Sequence, residues 1–157
     1  MHSSIKILVY AKSEEEARGE AEQIIGERMT GNGGHFDYVS VETVKLASSD
    51  EGKSAIALGM KWTKENFIEA IKEVRKRLKR YTNEQLYLED KALDTRFYCH
   101  KAGEYAGRNV FIYDQDGEGI REPKHLKNVL TKWRCLGSKS NEYDDKDIYV
   151  VETDAHS

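Results

Sequence analysis

The chain has 157 residues, with 25 Lys and Arg against 28 Asp and Glu for a net charge of −3, and its longest apolar runs fall far short of a membrane span. That balance excludes a general attraction to polyanions, and the length suits one hydrophobic core, so a single α+β domain over residues 1–157 is expected. Cys99 and Cys135 lack a CxxC partner, the lone proline marks no linker, and no signal-peptide core opens the chain, which together predict an unsecreted, cytoplasmic protein.

Ile5 to Ala11 is a β-branched apolar run and reads as a buried strand. A helix follows: Ser13 and Glu16 form a capping box, and Ala17, Ala21, Ile24 and Ile25 make one stripe that ends at the Gly31–Gly34 turn. Phe36 to Ala47 alternates, then changes parity, which predicts a bulge near Glu42. Ser54 to Trp62 fits either a strand or a short helix; it is taken as the returning strand of a hairpin closed by Ser48 to Lys53.

Thr63 is expected to cap a helix bearing Phe67, Ile68, Ile71, Val74 and Leu78. Thr82 and Gln85 form a second capping box, opening a helix that runs to Ala106 with Gly107 as its stop. Asn109 to Tyr113 reads as a short buried strand. Pro123 suits the first turn of a helix whose face carries Leu126, Val129, Leu130 and Trp133 before Gly137, and Ile148 to Glu152 reads as the last strand. The order predicts a mostly antiparallel sheet of about five strands with helices on one face, a ferredoxin-like split βαβ core with an inserted helix.

Four features carry possible chemistry. Asp114-Gln-Asp116-Gly-Glu118-Gly119 alternates carboxylates with glycine at the sixth position, as a calcium loop does, but its twelfth position is His125 instead of a closing glutamate. The plain alternative is a polar turn, where Asp and Gly are favoured for backbone reasons. The same Asp114, Asp116 and Glu118 can instead hold Mg2+ for phosphodiester hydrolysis, with Asp154 and His156 as added ligands if the last strand ends nearby.

Ala47 to Ser54 satisfies a loose phosphate-loop pattern, yet Asp50 and Glu51 bring the wrong charge, and an exposed hairpin loop is expected there. Finally, Lys64 to Arg80 holds seven basic and three acidic residues, so Lys76, Arg77 and Arg80 are candidate phosphate contacts, with Tyr81 and Tyr87 as stacking surfaces. Such charges also make an ordinary solvated helix end. No complete catalytic set appears, so the reading preferred is a small noncatalytic binding or regulatory module that acts on a macromolecular partner or on itself, with no membrane. A metal-dependent phosphodiesterase or nuclease using loop 114–118 is the alternative, with a calcium-stabilised structural loop between the two.

Overall fold

The computed structural model describes residues 2–30, 36–88, 91–102, 110–132 and 143–156. The turn at Gly31–Gly34, His35, Gly107, Trp133, Cys135 and Gly137 lie outside them. Strand β1 (His2–Ala11) leads into helix α1 (Glu14–Ile24), where Ser13 accepts a hydrogen bond from the Glu16 amide as the capping box requires. The other half of the box is shifted by one residue: the Glu16 carboxylate accepts from the Lys12 amide, which pulls its pKa down. One π-helical turn, Ile25–Met29, extends α1.

After β2 (Tyr38–Leu46) comes α2 (Asp50–Arg80), a single helix of 31 residues. The strand expected over Ser54–Trp62 is therefore helix, and the supposed hairpin loop at Ser48 to Lys53 contains the start of that helix. Ser49 caps it by accepting from the Gly52 amide, and Asp50 and Glu51 occupy the first turn, where the helix dipole favours them. Thr63, expected as a cap, lies mid-helix. Two shorter helices follow, α3 (Asn83–Leu88) and α4 (Lys91–Ala102), with the Thr82–Gln85 box formed in both directions. Strand β3 (Ile112–Tyr113), helix α5 (Pro123–Leu130) and strand β4 (Asp147–His156) complete the order. Helix α5 stops at Leu130, short of the expected end, and Lys132 takes a left-handed φ of 53° just beyond it.

Among the described residues the sheet has four strands in the order β2-β4-β1-β3 and is mixed. Strand β4 runs antiparallel between β1 and β2, while β3 pairs with β1 in parallel. The bulge expected near Glu42 falls where the register slips between Val41 and Thr43. Helices cover both faces, not one. On the first, α1 and its π turn pack Ala17, Ala21, Ile24 and Met29 against Ile5, Ile7, Val9 and Val151. On the second, α2 and α5 pack Ala55, Ile56 and Val129 against Leu8, Val150, Ile112 and Ile120. Successive residues of a strand face opposite ways, so β1 feeds both cores at once.

Helix α2 crosses the second face at close range because its contact residues are small. A Cβ on Gly52 would lie 1.9 Å from the Leu46 carbonyl oxygen, and one on Gly59 would lie 3.1 Å from the Ile112 side chain. Further along, the buried Thr63 hydroxyl donates to the Gly59 carbonyl at 2.8 Å and accepts from the Phe111 amide at 2.9 Å, which ties α2 to the chain entering β3. Past Ala70 the helix has no buried residue, and its last turns leave the sheet with α4 beside α2.

Candidate functional site

Loop 114–119 is built around one buried carboxylate. Asp114 Oδ1 accepts from the Asp116 amide at 2.9 Å and the Glu118 amide at 3.0 Å, which folds the backbone back on itself. The Asp114 amide donates to the Glu118 carbonyl, and the Gly117 amide to the Asp114 carbonyl. Gly117 has φ 75°, and a Cβ there would press on Arg28 at 2.9 Å, so both the backbone and the space call for glycine. Gly119 then bridges back to Tyr113, and the Ile120 amide donates to Ile112. The Gln115 side chain accepts from the Tyr10 amide at 2.9 Å, fastening the loop to the end of β1.

Pro123 starts α5 at a position where its missing N–H costs nothing, and the first turn carries His125 over the loop. His125 Nε2 lies 2.8 Å from Asp114 Oδ2. One ligand atom each from Asp114, Glu118 and His125 lie within 4.8 Å of one another. Asp116 is exposed and is not in this group; its amide donates to Asp114 Oδ1. The sequence therefore named two of the three clustered residues. The third stands where a calcium loop has its closing glutamate, and a helix-start signal at Pro123 is what brings it back.

Next to this cluster is a cleft of about 570 Å3 lined by the π turn of α1, loop 114–119 and the start of α5. Met29, Phe36, Val110 and Tyr113 give it apolar walls, while Arg28, Arg121, Glu118 and Glu122 bring charge and His125 an imidazole. Burial pushes the Tyr113 phenol far above its ordinary pKa, against the opposing effect of Arg121, so that group stays neutral. Arg28 and Arg121 escaped sequence reasoning because they belong to different elements with no shared spacing.

Asp154 and His156 do not join this site. Tyr113 is level with Ile7, which pairs with Val151, and His156 is five residues further along β4, about 17 Å away at the rise of a strand. They stand instead beside His2. On α2, Lys76 pairs with Glu73 at 3.3 Å, and Arg77 lies 3.5 Å from Asp94 and 4.8 Å from the Tyr98 ring centre. Arg80 lies over Tyr81, and Tyr87 is 81 % exposed. Much of the basic charge at this helix end is thus used within the molecule. Cys99 is an exposed free thiol.

The whole defines an α+β domain with a four-stranded mixed sheet and a charged cleft beside the loop that follows β3. Residues 1–156 match the family described as Domain of unknown function (DUF7995), and the chain belongs to that family. No curated protein and no solved structure matches it. Among the described residues, no helix is long and apolar enough to cross a membrane.

Proposed function

We propose that this domain is a noncatalytic binding module that holds an anionic group of a macromolecular partner in the cleft between the π turn of α1 and loop 114–119. The observation that carries this reading is the pair of arginines, Arg28 and Arg121, at the border of a cleft with apolar walls. Asp114 supports it too: both its oxygens are already engaged, by two amides and by His125, so the loop is held in shape by its own hydrogen bonds. The placing of β4 between β1 and β2 suits the split βαβ part of a ferredoxin-like core, and the exposed free Cys99 suits a reducing, cytoplasmic setting.

The test is a titration of inorganic phosphate, and separately of acetate, followed through the backbone amide resonances of the full chain. Saturable shifts at Arg28, Gly117 and Gly119 are expected, and both Arg28→Glu and Arg121→Glu should remove them. Unchanged spectra with both anions refute the reading.

A second reading, a Mg2+-dependent phosphodiesterase, has one observation in its favour: Asp114, Glu118 and His125 offer three ligand atoms in one place. Binding there means exchanging the His125–Asp114 hydrogen bond for two metal bonds. Hydrolysis of bis(p-nitrophenyl) phosphate with Mg2+ or Mn2+, lost in Asp114→Asn, supports it; no hydrolysis above the metal blank rejects it. Should Ca2+ raise the melting temperature without hydrolysis, the loop is a structural calcium site. The basic end of α2 is tested by salt-dependent binding of single- and double-stranded nucleic acid, weakened by changing Lys76, Arg77 and Arg80 to Glu.

A further inference from the structure

At the far end of the sheet, on the face that α2 covers elsewhere, the side chains are polar and open. Reading across the strands, His2 pairs with His156 and His156 pairs with Tyr38; one row inward, Ser4 and Ser40 flank Asp154. Directly opposed residues of antiparallel strands point to the same side with Cβ atoms about 5 Å apart. The register alone therefore places two imidazoles next to each other. Their ring centres are 5.0 Å apart and the planes stand at 76°.

Asp154 gives this pair its second feature. Its Oδ2 lies 2.9 Å from His2 Nδ1 and its Oδ1 3.2 Å from the same atom. A carboxylate at that distance holds the ring in the tautomer whose Nδ1–H donates to it, which leaves the Nε2 lone pair free and directed away from the carboxylate. Carboxylate, imidazole and open nitrogen in this sequence form the arrangement by which metal-binding histidines are oriented.

We propose that His2 and His156 form a zinc-binding pair, with Asp154 as the residue that positions His2. Imidazole nitrogens select zinc and its neighbours over calcium or magnesium, so this site differs in ion as well as place from the oxygen-rich loop at Asp114. The edge-to-face rings bring both nitrogens to one ion once the exposed His156 side chain turns about its torsions, while His2 stays on Asp154. Water fills the remaining positions, and Tyr38, beside His156 on β2 and 63 % exposed, stands within the same row. Because the ligands come from opposite ends of the chain, bound zinc clasps β1 to β4 and stabilises the native sheet by mass action.

The experiment is calorimetric titration of Zn2+ into the full chain at pH 7.5, with the histidine imidazole resonances followed in parallel. One zinc per chain is expected, with shifts at His2 and His156 and none at His125. His2→Ala and His156→Gln should each weaken binding at least tenfold, Asp154→Ala by about tenfold through loss of the orienting hydrogen bond, and His125→Ala should leave it unchanged. These residues are at the surface, and far-ultraviolet circular dichroism with the melting temperature in EDTA reports whether each variant keeps its fold. Wild-type protein that binds no zinc overturns the proposal. So does affinity that survives in the folded double variant of His2 and His156, or that is lost in His125→Ala alone.

Discussion

Gly52→Ala is the sharpest probe of how α2 rests on the sheet. The new methyl carbon would lie 1.9 Å from the Leu46 carbonyl oxygen, 2.8 Å from its carbon and 3.0 Å from Ala47 Cα. All three obstacles are backbone, so relief requires α2 to lift by about 1 Å at the point where Ala55 and Ile56 enter the core. Overpacking of this kind costs typically 1–3 kcal/mol and more where the obstacle is rigid, against a gain of about 1 kcal/mol in helix propensity. A net loss of about 2 kcal/mol is expected, or roughly 4–8 °C in melting temperature for a domain of this size. Gly19 on α1 has nothing within 4 Å, and Gly19→Ala should stabilise by about 0.5–1 kcal/mol. Gly59 is intermediate, with Ile112 at 3.1 Å and the Phe111 carbonyl at 3.2 Å, and its change to Ala should come close to balance. Urea denaturation of the three variants side by side orders them. If Gly52→Ala stabilises as Gly19→Ala does, α2 does not cross the end of β2 and a hairpin over residues 48–62 is again open.

Thr63→Val keeps the shape of the side chain but removes the acceptor for the Phe111 amide; a loss of about 1–3 kcal/mol is expected, and equal stability would mean that this tie between α2 and β3 contributes nothing. Lys6, 1 % exposed beneath Trp62, has its pKa lowered by burial against the pull of Glu152 and Glu42. It binds its proton less tightly folded than unfolded, so the penalty is complete below its folded pKa and relieved as pH rises from there toward 10.5. Lys6→Met should therefore gain on the wild type at pH 7 and lose that advantage toward pH 10.5, and a difference constant with pH refutes the argument. For Glu152, burial alone would raise the pKa, but hydrogen bonds from Thr43 and Lys45 and the charges of Lys45 and Lys6 hold it below 4.5. Its stabilisation is present above that value and lost as pH falls through the lower folded one, so Glu152→Gln should cost stability at neutral pH and flatten the acid limb of a pH–stability curve.

Elements marked by an apolar stripe, a strand alternation or a capping signal were legible in the sequence. The stripe on α1, the alternation and bulge of β2, the Thr82–Gln85 box and Pro123 at the start of α5 all appear where the pattern puts them. The first half of α2 was not, because its buried face consists of Gly52, Ala55, Ile56, Gly59 and Thr63. Hydrophobic periodicity registers side-chain size and polarity, and a helix that gains contact by bringing its backbone close leaves little of either to read. The candidate site was half legible for a related reason. Asp114 and Glu118 share a loop and a spacing, but Arg28, Arg121 and the His2–His156 pair meet only through packing and strand register.

The sheet itself explains why the two ends of the molecule carry different chemistry. Strands β1 and β3 are parallel neighbours, so their carboxyl ends open on the same side, and the chain leaving β3 must turn there before α5 begins. Parallel strands place ligand crevices at that edge, and the cleft beside loop 114–119 lies at it. Opposite, β1 begins where β4 ends, so an antiparallel pair brings together side chains from residues 2 and 154–156 without any loop to hold them. The first end has turns that shape a concave site with charged walls; the second has paired strands, on which two imidazoles stand side by side with a carboxylate holding one of them. Removing one should therefore leave the other intact: sites more than about 7–10 Å apart with no shared partner act additively, and the His2→Ala and Arg28→Glu variants should combine without coupling in both stability and ligand binding. A stability measured for the double variant that departs from the sum of the singles by more than about 0.5 kcal/mol would show that the sheet transmits between its two ends.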